Sequence, residues 1–326
     1  MSLSRFGVLF RVDALPSTGF GHAARCLQLA RLCTGLGPAA FQGEFSEAAL
    51  ARVRAHSPGL AVLSPDVAAD AVVGVIDRMS DPGDMNGYDP QVTATLNTRC
   101  RRLLYICSGT QVPPVPSDVL VIGYQPADVG HLPDHIRWSL DFAPVSANLR
   151  VEPPPMRDDK SILVALGGHP DDRPLRQVLA VIALMPSINH VHVLLSPVMG
   201  RGADAYGVGA HQALSLHQNV PSVAPLLGQA GLVVASFGNL VYEALALGAP
   251  TCVVGQKAFQ VTLAQAMAQR SLVTCGGNVL ALERPAFKEA LQQTLDRRDA
   301  LSTLGPRMVD GMGLERIAKE IEALAS

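Results

Sequence analysis

Hydrophobic positions come in short unbroken runs separated by longer amphipathic stretches. Gly7-Val8-Leu9-Phe10-Arg11-Val12, Ala71–Ile76, Leu103–Ile106 and Val119–Ile122 have the length and content of strands buried on both faces. Between the first two, residues 22–36 set Ala23, Cys26, Leu27, Ala30 and Leu32 at helical spacing, and Phe45–Ala55 repeats that pattern. Strand alternating with helix predicts a parallel sheet covered by helices.

The stretch Phe142–Lys160 interrupts the alternation. It carries Pro144, Pro153, Pro154 and Pro155, then Arg157-Asp158-Asp159-Lys160, and predicts an interdomain linker. Beyond it the pattern restarts. Ser161–Leu166 predicts a strand, Leu175–Met185 a helix and His190–Leu195 a strand, and Val220 opens a short element. Strand Leu232–Ala235, helix Gly238–Leu247, strand Thr251–Val254 and helix Thr262–Gln269 follow. The expectation is an α/β protein of two domains, 1–150 and 151–326, whose sheets face a cleft. Ligands in such folds bind at the carboxyl ends of the strands.

Composition narrows the picture. The length of 326 residues suits two domains. Apolar residues are 48% but aromatics only 5%, so both cores must be aliphatic. The net charge is −2, which argues against nucleic acid or an anionic membrane as partner. With only four lysines, an anionic ligand would have to be held by helix N-termini and a few arginines. Cys26, Cys33, Cys100, Cys107, Cys252 and Cys275 form no CxxC pair, which fits buried reduced thiols in a cytoplasmic protein. No apolar run reaches the roughly 18 residues of a membrane span, and the opening MSLSRFGVLFRVDA has no signal-peptide apolar region. The oligomeric state is left open.

Three strand-to-helix junctions could carry chemistry. The first is Arg11-Val12-Asp13 followed by Gly19-Phe20-Gly21-His22-Ala23-Ala24-Arg25. Glycines there permit a tight turn, and the helix N-terminus offers free N–H groups to an anion. His22 sits at the mouth of the helix, where a neutral imidazole would suit a general base. A purely structural histidine fits the spacing equally well. In the second junction, strand Ile162–Leu166 runs into Gly167-Gly168-His169-Pro170-Asp171-Asp172, where either aspartate could cap the next helix. The third is Gly231–Ser236, then Phe237-Gly238-Asn239 opening a helix closed by Gly248 and Pro250. Ser236 suits an N-cap, and the Gly238 and Asn239 N–H groups suit a phosphate. Glu243, further along that helix, could bind two ribose hydroxyls, or could simply be a surface charge.

Weaker candidates are His190 and His192, on one face of a strand without an evident third metal ligand, Lys257 at a strand end, and the pair Asp77-Arg78. No HExxH, Walker A or GxSxG motif is present.

Taken in order, these segments resemble the PseG and SpsG proteins of nonulosonic acid and spore-coat polysaccharide biosynthesis. The resemblance runs from Arg11-Val12-Asp13 and Gly19–Ala30 through Ala165-Leu166-Gly167-Gly168 and Ala235–Leu247. It ends at Val309-Asp310-Gly311-Met312-Gly313-Leu314-Glu315-Arg316-Ile317. It implies a GT-B fold, two Rossmann-like domains of the MurG type, with the last helix (Leu314–Leu324) packing back on the first domain. It implies His22 as the catalytic base, with Arg11, Asp13, Arg25, Phe259 and Gln260 on the substrate side. Gly19, Gly21, Gly167, Gly168, Ser236, Gly238, Asn239 and Glu243 would hold the nucleotide. The implied activity is hydrolysis of a UDP-linked amino-deoxy sugar, as in pseudaminic acid biosynthesis. Neither a metal nor a resident cofactor is implied, since the UDP derives from the substrate. Phe259 stands where the family carries Asn, and Asp77-Arg78 where it carries an Asp-His pair. A glycosyltransferase on the same scaffold is the alternative, and a nucleotide-sugar-binding protein without turnover a further one.

Overall fold

In the computed structural model, residues 5–15, 18–78, 88–149, 156–167, 171–195 and 206–326 are described. The chain divides into two compact units, 1–146 with 312–326, and 147–311.

The first unit runs β1 (Arg5–Arg11), α1 (Gly21–Leu32), β2 (Ala39–Gln42), α2 (Glu47–His56), β3 (Ala61–Leu63), β4 (Asp70–Ile76), α3 (Pro90–Asn97), β5 (Cys100–Cys107), β6 (Val119–Gly123) and β7 (Ile136–Trp138). Its seven strands lie in the order β3-β2-β1-β4-β5-β6-β7, and every pairing is parallel. The predicted helix over 22–36 ends at Leu32. Thr34–Leu36 tightens into a 3-10 turn, and Gly37 leaves it at φ +103. α1 buries Ala23, Cys26, Leu27 and Leu29, the aliphatic stripe legible in the sequence.

The second unit runs β8 (Asp158–Ala165), α4 (Arg173–Ile182), β9 (His190–Leu194), β10 (Ala213–His217), α5 (Ala224–Gln229), β11 (Ala230–Ser236), α6 (Asn239–Ala246), β12 (Thr251–Gly255), α7 (Ala258–Gln269), β13 (Thr274–Asn278), α8 (Arg284–Asp296) and α9 (Arg298–Met308). Its strand order is β10-β9-β8-β11-β12-β13, again all parallel. The predicted linker overruns the strand: Asp158 already pairs with Ala230, ahead of a register shift. No strand or helix opens at Val220. Strand β10 and helix α5 form on either side of it instead. The last helix, α10 (Gly313–Ala325), belongs to the first unit. There the Leu314 N–H donates to the Val145 carbonyl at 3.0 Å, and Leu314, Ile317 and Ile321 are fully buried.

Both sheets are doubly wound. In the first unit the chain leaves β1 toward β2 and β3, then returns to β4 on the other side of β1. In the second it leaves β8 toward β9 and β10, then returns to β11. Loops diverge at the carboxyl ends of such neighbouring strands, leaving a crevice there. The junctions bearing His22 and Asp77, and those bearing Gly167 and Ser236, are therefore the two switch points.

The architecture is the two-sheet α/β arrangement of the GT-B fold. All six cysteines are free, and five are buried. No helix among the described residues is long and apolar enough to cross a membrane.

Candidate functional site

In the first unit the loop after β1 closes on Gly19, whose N–H donates to the Leu15 carbonyl at 2.8 Å. Gly19 takes φ +75, which side chains with a Cβ rarely adopt. The turn delivers the chain into α1, whose first turn carries neither an acidic residue nor a side-chain cap. His22 is the second residue of that helix.

Asp77 follows β4 and prolongs its pairing with β1, its N–H donating to the Arg11 carbonyl at 3.0 Å. His22 Nδ1 lies 2.7 Å from Asp77 Oδ1. Arg25, one turn further along α1, donates from Nε to Asp77 Oδ2 at 2.6 Å and from Nη2 to Asp77 Oδ1. Its remaining donors reach Tyr124 Oη at 2.6 Å and Ser108 Oγ at 3.1 Å. Gln125 Nε2 donates to the Ser108 carbonyl, and Trp138 Nε1 to the Gln125 carbonyl. The carboxyl ends of β4, β5, β6 and β7 are thereby tied to one guanidinium.

Asp77 is 0% exposed and Arg25 2%, whereas the His22 side chain keeps 12%. Burial alone would raise the Asp77 carboxyl. The Arg25 charge and His22 overcome that effect and hold it well below the usual carboxylate range. Burial likewise opposes the Arg25 charge, and Asp77 more than restores it. An ionised carboxylate only accepts hydrogen bonds, so in the neutral imidazole Nδ1 carries the proton and Nε2 the lone pair. His22, the most exposed of these three, is thus a proton acceptor in a fixed tautomer.

Arg11, Asp13 and Arg25, implied on the substrate side, are internal. Arg11 Nη1 donates to Asp13 Oδ1 at 2.6 Å and to the Gln42 carbonyl. Asp13 also accepts from the Glu44 N–H and from Arg78 Nε at 2.9 Å each. Arg78 continues to Asp89 at 3.1 Å. Asp77 and Arg78, adjacent in sequence, therefore serve separate networks and do not pair with each other.

In the second unit Gly167 takes φ +81 after β8. Gly168 lies outside the described residues. Ser236 does not cap α6. As the last residue of β11 it donates from Oγ to the Leu166 carbonyl at 3.1 Å and accepts from Gln256 Nε2. The cap position is Gly238, which has no side chain to offer, and α6 has no acidic residue in its first turn. Among the described residues, no hydrogen bond engages the Gly238 or Asn239 N–H. The opposite holds at α7. Gln260 Oε1 accepts from the Gln256 and Lys257 N–H groups at 2.8 and 3.2 Å, and Gln260 Nε2 donates to the Phe237 carbonyl. Gln260, implied on the substrate side, thus closes its own helix. Phe259 beside it is half-buried and Lys257 exposed. The open N-terminus belongs to α6 alone of these two helices, and an open N-terminus favours an anion.

Glu243 lies four residues after Asn239, on the same face of α6. Its carboxyl makes no hydrogen bond among the described residues, and burial pushes it up to about 7. Gly248 ends the helix at φ +65, its N–H donating to the Leu245 carbonyl. At α4, Asp171 rather than the cap residue Asp172 receives the Arg173 N–H, at 3.0 Å.

The His190–His192 pair gains a member that the sequence did not reveal. His217 on β10 sets Nε2 3.0 Å from His192 Nδ1, and the His190 and His192 rings stack at 3.9 Å. Among the described residues no group of three or more His, Cys, Asp or Glu side chains is arranged to hold a metal. Sequence patterns also left the partners Ser108 and Tyr124 unmarked, and left the role of Asp77 undecided. The one available signal was their position at strand carboxyl ends.

No protein-family model matches the chain, and no curated protein is significantly similar to it in sequence. Solved structures are similar in fold. The glycotransferase of kitacinnamycin superposes with a TM-score of 0.67 at 16% identity, over 99% of this chain and 100% of that one. MurG of Acinetobacter baumannii gives 0.61 at 11% identity, over 97% and 99%. The spinosyn rhamnosyltransferase SpnG complexed with thymidine diphosphate gives 0.58 at 13% identity, over 96% and 99%. At these identities the likeness is one of fold, and the fold is that of the GT-B glycosyltransferases.

Proposed function

We propose that this protein breaks the anomeric C–O bond of a nucleoside-diphosphate sugar by hydrolysis, with His22 as the general base. The observation that carries the reading is the His22–Asp77 hydrogen bond of 2.7 Å, which leaves Nε2 as a proton acceptor. Nε2 takes a proton from water while the water oxygen attacks the anomeric carbon. The C–O bond breaks with its electron pair on the phosphate oxygen, and the nucleoside diphosphate leaves. Base catalysis of this kind contributes about 10²–10⁴-fold. In the second unit, the open N-terminus of α6 would suit a phosphate group. Glu243, on the same helix face, would take the ribose hydroxyls.

The resemblance to the PseG proteins favours a UDP-linked 2,4-diacetamido-2,4,6-trideoxyhexose as substrate. The test is UDP release from that compound in ¹⁸O-labelled water. Label in the sugar hydroxyl supports attack at the anomeric carbon. Label in UDP means P–O cleavage and overturns the mechanism.

A second reading is transfer to an acceptor hydroxyl, which His22 would deprotonate in place of water. It is favoured by the structural neighbours, whose names are those of glycosyltransferases. UDP release that requires an added acceptor, with no free sugar formed, would select it. UDP binding without either product would select a binding protein.

A further inference from the structure

Among the described residues, Arg25 is the one cation in contact with the His22–Asp77 pair. It leaves α1 three residues after His22, so both side chains project from one face of the helix. Its Nε and Nη2 bind the two oxygens of Asp77 as a fork, and Nη2 lies 3.2 Å from His22 Nδ1. Arg25 and Cys26 from α1 contact the pair itself, whereas Ser108 after β5 and Tyr124 after β6 contact Arg25 and each other. Cys26 stays a neutral thiol, because burial and Asp77 both oppose the thiolate. The neighbouring ions Arg11, Asp13, Arg78 and Asp89 are already matched to one another.

A carboxylate in contact with an imidazole favours its protonated form, and a guanidinium at the same nitrogen opposes it. With both present, the charge of Asp77 is offset where it meets His22, while its geometry is kept. We propose that Arg25 is a positioning residue that balances Asp77 and so sets the pH range over which His22 can accept a proton. This rests on the reading of His22 as the base. It assigns Arg25 an internal role, in keeping with its burial and with a hydrogen bond to a protein partner from each of its three nitrogens.

The test is long-range ¹H–¹⁵N NMR of the imidazoles in the full chain across pH 5–9, with His22 assigned by its loss in His22→Asn. In Arg25→Met the His22 titration midpoint is expected to rise by about one pH unit or more. Arg25→Lys, which keeps the charge, should recover at least half of that shift. Asp77→Asn leaves the guanidinium unopposed and should lower the midpoint by a similar amount. An unchanged midpoint in folded Arg25→Met overturns the proposal. If that variant does not fold, Asp77→Asn decides in the same way. The double variant Arg25→Met/Asp77→Asn, which buries no net charge, should titrate near the wild type. The titration uses no substrate, so absence of turnover would count against the proposed function alone.

Discussion

His22 and Asp77 are 55 residues apart in the chain, yet their side chains meet at 2.7 Å. The topology accounts for this. β1 and β4 are neighbours in the sheet although β2 and β3 intervene in sequence. The residues that leave their carboxyl ends therefore share the switch point. Burial makes the contact directional, because a fully buried carboxylate held ionised by Arg25 can only accept.

Replacing His22 should remove the proton acceptor without unfolding the unit, since its ring is more exposed than Asp77 and Arg25. His22→Ala is expected to lower kcat by about 10²–10⁴-fold with little change in KM. Asp77→Asn should lower it at least about tenfold, because an amide no longer enforces the Nδ1–H tautomer. Steady-state UDP release with a melting curve for each variant checks both.

If Glu243 takes the ribose hydroxyls as proposed, affinity depends on pH. Burial pushes its carboxyl up to about 7, so it would be a full acceptor for ribose hydroxyls only above that pH. UDP affinity, measured by calorimetry, should rise with pH through about 7 in the wild type. In Glu243→Gln it should be at least about tenfold weaker and lack that component. The stability effect has the opposite sign. A carboxyl raised above its unfolded value of 4.5 loses native stability as pH climbs from 4.5 to 7. Glu243→Gln should therefore be more stable at pH 8, by up to about 3 kcal/mol.

The N-terminus of α6 offers a similar test. Asn239→Asp places a negative charge beside open N–H groups, which stabilises a helix by about 0.3–1 kcal/mol. The same charge would repel a diphosphate. The melting temperature should rise slightly while UDP affinity falls about tenfold or more.

The histidine cluster on β9 and β10 should make the second unit acid-sensitive. Burial, then His190 and His217, lower His192 to about 4. The unfolded chain binds a proton near 6.5 that the native state refuses, so stability is lost as pH falls from about 6.5 toward 4. Partial exposure screens the effect to about 1 kcal/mol, or roughly 2–4 °C. His192→Gln should lose correspondingly less on going from pH 7 to pH 4.5 in a calorimetric scan.

Much of this was legible in the chain. Aliphatic runs located most of the strands of both sheets, and Gly19, Gly167 and Gly248 marked turns where the backbone is left-handed. Short or polar strands were not legible. β3 is only three residues long and β13 is polar and glycine-rich, so neither carries a readable apolar period. Residue types pointed to His22 and Glu243, but a spacing pattern does not reveal a partner 55 residues away. Ser236 shows the same limit. Serine before a helix favours a cap, yet the Leu166 carbonyl from the adjacent strand claims its hydroxyl. Arg11, Asp13 and Arg25 looked available to a ligand because local sequence does not show that buried countercharges surround them.

The most direct test of the central claim is the rate of UDP release from a UDP-linked diacetamido-trideoxyhexose, measured side by side for the wild type and His22→Ala. Release by the wild type and a loss of about 100-fold or more in the folded variant is the predicted result. Equal release by the two proteins would contradict the account.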